Sequence, residues 1–136
     1  MRAPQHATRA EYTLPPTASA AGRARRLTRT FLTGPRRRRT VISAEHLGDA
    51  ALVVSELVAN AVEHGHGDCR LRLTVNGTRV TIEVHDDNPA GPHIRTASRH
   101  AENGRGMTIV RALTQRLDIL HSDHTRGKTV RAVLTG

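Results

Sequence analysis

Aromatic side chains are almost absent from this sequence of 136 residues, which contains no Trp, one Phe (Phe31) and one Tyr (Tyr12). A core without aromatic rings has to be assembled from Val, Leu, Ile and Ala. Those residues favour sheet strands packed against helices. The length suits one domain with a single core.

Cysteine is equally scarce, because Cys69 is the only one and can form no disulfide within the chain. No apolar run approaches the roughly 18 residues that a membrane-spanning helix needs. The first residues, MRAPQHATRAEY, lack the hydrophobic centre of a signal peptide. We therefore expect a cytoplasmic protein with no membrane partner, in which residues 1–10 are a flexible lead-in and residues 11–136 form one domain.

Acidic residues are missing from the first part of the chain. Residues 1–40 hold ten Arg and one acid, whereas residues 41–136 hold eleven basic and eleven acidic residues. The densest basic piece, Arg36–Arg39, is either a contact for phosphate or an acidic protein, or a solvated loop. Because no aromatic residues alternate with these arginines, the charge alone does not indicate direct binding of nucleic acid.

The order of helix and strand patterns predicts an α+β fold. EYTL is strand-like, PPTASAAGRARRLTRTFL contains a helix, and a long helix runs from Ala44 to His64 between a Ser43 cap and a Gly65 stop. The alternating segments CRLRLTV and RVTIEVHD, joined by Asn76-Gly77, predict a β-hairpin. A helix after GRG and the strands DILHSD and KTVRAVL complete a mainly antiparallel sheet with helices on one face.

The long helix carries a narrow polar line. Asp49, Glu56, Asn60 and Glu63 share one side, and the opposite side is apolar (Leu47, Ala51, Val54, Val58, Val62). The line is either a solvated edge or a set of polar groups that faces a cavity. In a cavity, the Glu56 carboxylate can orient a hydroxyl group or water, and the Asn60 amide oxygen can bind magnesium.

Three later motifs are individually ambiguous. Asp86 extends the alternation of its strand and is suited either to a turn or to accepting a hydrogen bond from the amine of a base such as adenine. Gly104 and Gly106 open a predicted helix, where backbone amides can bind phosphate, although a plain helix start has the same pattern. The Lys and Thr of GKTV are within a turn that enters a strand and could reach phosphates.

Taken in order, SELVANAVEHG, VHDDNPAG, GRGMTIVRAL and GKTVRAVL resemble the ATP-binding domain of the GHKL ATPases. The length and the first motif are most similar to the anti-sigma factor serine kinase branch, over residues 11–136. The resemblance implies a two-layer α/β sandwich of the Bergerat type, with a mainly antiparallel mixed sheet and three helices on one face.

The resemblance also implies roles for individual residues. Glu56 would be the general base, Asn60 would bind the magnesium that bridges the phosphates of ATP, and Asp86 would accept from adenine. The segment from Pro89 to Asn103 would be a lid over ATP. The remaining cofactor-binding positions implied by the same motifs are Asn88, Gly104, Arg105, Gly106, Met107 and Thr129.

One motif departs from the family pattern. The usual Asp-x-Gly-x-Gly reads Asp86-Asp87-Asn88-Pro89-Ala90, so both glycines are lost. The resemblance implies an ATP- and magnesium-dependent anti-sigma factor with protein serine kinase activity. Its partner would be a sigma factor or an anti-anti-sigma type regulator, and a homodimer is compatible with this. The lost glycines favour the alternative of a non-catalytic module that binds a regulatory protein with weak or no ATP turnover.

Overall fold

The computed structural model describes residues 7–34, 42–88, 101–121 and 126–136, with the side chains of residues 101–105 excepted. Three helices and five strands follow in chain order: β1 (Thr8–Leu14), α1 (Ala20–Thr33), α2 (Ala44–His64), β2 (Cys69–Asn76), β3 (Arg79–Asp86), α3 (Ala101–Leu113), β4 (Arg116–His121) and β5 (Lys128–Leu134). The Arg36–Arg39 run and residues 89–100 lie outside the described part of the chain.

The five strands form one sheet in the order β1-β2-β3-β5-β4, and every pairing between these neighbours is antiparallel. With the three helices this is an α+β sandwich, which confirms the predicted fold. None of the helices in the described residues has both the length and the apolar character that a bilayer span requires.

The β2–β3 hairpin forms where the sequence predicts it. Asn76 pairs with Arg79 across a tight turn, and Gly77 adopts a φ of 64°, a left-handed conformation that glycine tolerates without strain. Alternate side chains of both strands then point to the same face. They are buried there, and the set comprises Leu71, Leu73, Val75, Val80, Ile82 and Val84.

Helix α2 lies across this apolar face of the sheet and has the predicted ends. The Ser43 hydroxyl accepts from the backbone N–H of His46 at 3.1 Å, which satisfies one of the unpaired amides of the first turn. At the other end, the Gly65 N–H donates to the Ala61 carbonyl oxygen at 2.7 Å. The apolar side of α2 is buried in the core through Ala50, Val53, Val54, Leu57, Val58 and Ala61.

Three boundaries differ from the sequence prediction. β1 begins at Thr8, so residues 8–10 belong to the sheet and not to the lead-in. β4 covers Arg116–His121, two residues earlier than predicted. Helix α3 begins at Ala101, so the last three residues of the predicted lid are helical.

Candidate functional site

Glu56 and Asn60 lie one turn apart on α2, at the border between the core and the surface. Both side chains are half-buried, and the intervening Leu57 and Val58 are fully buried in the core. This arrangement brings a carboxylate and an amide to one edge of the helix without exposing either side chain fully to solvent.

Gly106 of α3 lies directly against Glu56. A Cβ atom built on Gly106 would overlap the Glu56 carboxylate, so a larger residue at this position would require the carboxylate to move. The neighbouring Met107 is buried, with 3% of its surface exposed. Glu56 therefore faces α3, whereas Glu63 at the end of the same polar line is exposed to solvent.

The expectation that Gly104 and Gly106 open a helix is wrong in position. α3 begins at Ala101, so both glycines lie within its first two turns. The contact between Gly106 and Glu56 supplies a packing reason for a glycine inside this helix. Arg105 lies between the two glycines, among the residues whose side chains are not described.

Asp86 ends β3 on the face of the sheet that the helices cover, and it is paired with Lys128 of β5. The Lys128 Nζ atom lies 3.0 Å from both carboxylate oxygens of Asp86. Both residues are buried, with 3% of the surface of Asp86 and 2% of the surface of Lys128 exposed. The pair follows from the antiparallel register, which places these two residues directly opposite each other.

Asn88 joins this ion pair to the end of α2. Its backbone N–H donates to Asp86 Oδ1 at 2.8 Å, and its carbonyl oxygen accepts from Lys128 Nζ at 2.9 Å. Its side-chain amide donates to the His64 carbonyl oxygen at 2.7 Å. Asn88 therefore occupies the place of the first lost glycine with a side chain that has a definite structural role.

Gly127 permits the close approach of β5 to the end of β3. It has a φ of 95°, and a Cβ atom there would overlap the Asp86 carbonyl oxygen. The glycine of the GKTV motif is therefore required by the turn that leads Lys128 to Asp86.

Thr129 does not join the other predicted residues. Successive side chains of a strand point to opposite faces, so Thr129 faces away from the helices while Lys128 faces toward them. Its hydroxyl lies 3.0 Å from His85 Nδ1 on the other face of the sheet. The structure thus brings Glu56 together with Gly106, and Asp86 with Asn88, but separates Thr129 from both groups.

The buried thiol of Cys69 is a weaker acid than an exposed cysteine thiol. Burial of the thiol, followed by the nearby negative charge of Asp86, raises the pKa of Cys69 from 9.0 to about 11. Its side chain is buried, with 1% exposure. At neutral pH this cysteine is therefore a protonated core residue and a poor nucleophile.

Sequence reasoning missed Lys128 as a buried partner of Asp86. The signal was present in KTVRAVL, because Lys128 shares its alternation with Val130, Ala132 and Leu134, which are all buried. A lysine at an inward position of a strand requires a buried negative partner. The carboxylate at the end of the neighbouring strand β3 supplies it.

The two ends of the site differ in how well they suit a magnesium nucleotide. Glu56 and Asn60 both carry hard oxygen donors, and Glu56 lies beside Gly106, which suits the metal and phosphate end. Asp86 already accepts from Lys128 through both oxygens, so the amine of an adenine would have to share this buried carboxylate with the lysine.

The chain belongs to the histidine kinase-like ATPase domain family, which matches residues 14–134. This match spans all the motifs that carry the resemblance to the GHKL ATPases and confirms it. A search among curated proteins found no match.

Two solved structures share the fold. The RsbU and RsbW domains of Rv1364c from Mycobacterium tuberculosis align with 94% of the chain at a TM-score of 0.67 and 22% identity. The histidine kinase domain of the blue-light activated kinase EL346 from Erythrobacter litoralis aligns with 89% at a TM-score of 0.53 and 23% identity. The chain spans 32% of the first structure's chain and 61% of the second's.

Proposed function

We propose that this protein is a cytoplasmic, ATP- and magnesium-binding regulator of the anti-sigma type, which phosphorylates a serine of an anti-anti-sigma type partner. The observation that carries the proposal is the position of Glu56 and Asn60. They lie one turn apart on α2, half-buried, with Glu56 held against Gly106 of α3. A carboxylate and an amide so placed suit proton transfer and metal binding at one edge of the helix.

Each residue has a separate task in this proposal. The amide oxygen of Asn60 would be a ligand of magnesium, which neutralises charge on the phosphates when bound. The carboxylate of Glu56 would orient the serine hydroxyl of the partner and accept its proton. The α3 backbone at Gly106 lies against Glu56 and leaves no room for a larger residue while the carboxylate keeps its present position.

The choice of partner rests on the four sequence motifs and their similarity to the anti-sigma factor kinases. A sigma factor or an anti-anti-sigma type regulator is accordingly the expected partner, and a homodimer is compatible with the fold. The ten arginines among residues 1–40 would favour a partner with an acidic surface.

A transfer assay with labelled ATP tests the proposal against candidate regulators from the same genome. Glu56→Gln should keep ATP binding and reduce phosphoryl transfer by roughly 10²-fold or more. The matched control is Glu45→Gln, which changes an exposed carboxylate in the first turn of the same helix and should leave transfer unchanged. Transfer by Glu56→Gln at the parent rate would remove Glu56 from the mechanism.

The Asp86–Lys128 pair favours a second candidate, a non-catalytic module of the same fold that binds a regulatory protein. The Asp86 carboxylate already forms an ion pair with Lys128, and the two glycines of the Asp-x-Gly-x-Gly motif are absent. A protein that binds its partner but neither binds ATP nor labels the partner would establish this second function.

A further inference from the structure

A hollow of about 400 Å³ lies on the face of the sheet that the helices do not cover. Its lining comes from β3, β4, β5 and the residue before β4, and consists of Arg79, Gln115, Arg116, Asp118, Arg131 and Val133. Val133 points away from its neighbours Ala132 and Leu134, which are buried in the core shared with the helices. The hollow therefore opens on the side of the sheet opposite to Glu56.

Basic groups dominate the lining of this hollow. Three arginines face one acid, and Val133 is the only apolar side chain among the described lining residues. The Gln115 amide adds a donor and an acceptor. A ligand in the hollow would meet N–H donors over most of its surface and would bury little apolar area.

Acids hold two of the arginines from the side. Arg116 donates from Nε to Asp118 Oδ2 at 2.9 Å, and Arg131 donates from Nε to Glu83 Oε2 at 3.1 Å. Because both pairs use Nε, the contacts among the described residues leave the terminal nitrogens of each guanidinium group to a ligand. The ion pairs formed within the described ranges do not include Arg79.

A smaller hollow on the same face has balanced charges. Its volume is about 90 Å³, and it is lined by Glu11, Arg70, Arg72, Glu83, His85 and Thr129. Two arginines face two glutamates there, and Arg72 contacts both acids, at 2.8 and 3.7 Å. The larger hollow has three arginines for one acid, or for two acids when Glu83 is included as the partner of Arg131. An excess of positive charge therefore remains only in the larger of these two hollows, and it favours an anion.

We propose that the larger hollow binds a small anion with two or more phosphate groups. A guanidinium group offers paired N–H donors that match two oxygens of one phosphate. The volume of about 400 Å³ is within the range of small-molecule sites, and the polar lining disfavours ligands with large apolar parts. Since the hollow and Glu56 lie on opposite faces of the sheet, this anion and a nucleotide can be bound at the same time.

Calorimetry with sodium pyrophosphate in a chelator tests the proposal, since the chelator removes any magnesium that could hold the probe at Asn60. The wild type should bind one pyrophosphate with a Kd below about 1 mM. Arg79→Gln and Arg116→Gln should each weaken binding about tenfold or more, because each removes charge-assisted hydrogen bonds. Arg9→Gln is the matched control, since it removes an exposed arginine from the edge strand β1 on the same face and should change the affinity less than about twofold.

A second measurement locates the bound anion. The backbone amide signals of Gln115, Arg116 and Val133 should shift in NMR spectra during a pyrophosphate titration, and these shifts should be smaller in Arg79→Gln. Shifts confined to α2 or to the Arg36–Arg39 run would overturn the proposal.

Two calorimetric results would also overturn it. One is the absence of binding by the wild type at about 10 mM pyrophosphate. The other is an equal loss in Arg9→Gln and Arg79→Gln, which would show a general attraction by net charge. These outcomes are independent of the proposed kinase function, which the transfer assay with Glu56→Gln tests separately.

Discussion

The backbone of Gly106 on α3 lies against the carboxylate of Glu56 on α2 so closely that a Cβ atom on Gly106 would overlap the carboxylate. The contact links the direction of a single acidic side chain to the packing of two helices. A change that adds one methyl group at Gly106 therefore tests the importance of that direction.

Gly106→Ala should lower phosphoryl transfer by about tenfold or more while changing stability little. Alanine favours the helix by about 1 kcal/mol, and the Glu56 carboxylate, at the end of a flexible side chain, can rotate away from the new methyl group. The rotation moves the carboxylate away from the position in which it would accept the proton, so phosphoryl transfer becomes slower. Urea unfolding and the transfer assay measure the two effects separately.

Gly48→Ala is the control for this change, because Gly48 lies on α2 and no described atom is within 4 Å of a Cβ placed there. It should gain about 0.5–1 kcal/mol of stability with unchanged transfer. Equal transfer by Gly106→Ala and Gly48→Ala would contradict a role for the contact with Glu56.

Asn60→Ala should weaken ATP binding strongly when magnesium is present and only slightly when it is absent. The side-chain amide oxygen is the hard donor that a magnesium ion would use, and alanine has none. Calorimetry in magnesium and in a chelator gives the two affinities. Asn60→Asp, which retains an oxygen donor, should keep most of the magnesium effect, and equal affinity of Asn60→Ala and wild type in magnesium would exclude Asn60 as a ligand.

Gly127→Ala should destabilise the protein more than Gly77→Ala. Both glycines have a positive φ, of 95° and 64° respectively, which costs an alanine about 1–2 kcal/mol. At Gly127 the methyl group would also overlap the backbone of Asp86, whereas no described atom is within 4 Å of a Cβ at Gly77. Urea unfolding of the two variants compares them directly, and equal losses would show that β5 can move away from β3.

Stability should fall with rising pH in the alkaline range because of Cys69. Below pH 9 the thiol is protonated in both the folded and unfolded chain, so its contribution is complete. Between pH 9 and about 11 only the unfolded chain loses the proton, which stabilises that state by up to about 3 kcal/mol. Chemical unfolding at several pH values should therefore show a steeper loss in the wild type than in Cys69→Ala, and parallel curves would contradict the raised pKa.

Local patterns predicted the elements whose determinants are local. The ends of α2 follow from Ser43 and Gly65, and β3 and β5 were bounded correctly by alternation alone. Helical spacing also placed Glu56 and Asn60 on one edge. The glycine pattern predicts the start of α3 too late, because Gly106 lies inside the helix, where it contacts the Glu56 carboxylate of α2.

Contacts between strands that lie far apart in the sequence determine the features that local patterns do not predict. The alternation of β3 leaves Asp86 open to a turn or to the amine of a base, and nothing local to the strand indicates the lysine partner, which lies 42 positions away. The motif assigns Thr129 to the nucleotide, whereas the alternation that buries Lys128 places Thr129 on the opposite face of the sheet. Both nucleotide assignments stay predictions, and both depend on which face of which strand a side chain occupies.

The strand order has a consequence for how the sheet assembles during folding. β2 and β3 are joined by a two-residue turn and can pair within microseconds, whereas Leu14 of β1 pairs with Cys69, 55 positions further along the chain. Closing that long loop costs entropy, which the packing of α1 and α2 on the hairpin helps to offset. The first strand in the sequence is therefore expected to be among the last to dock, and a nascent chain exposes it as an unpaired edge until α2 and the hairpin have been made.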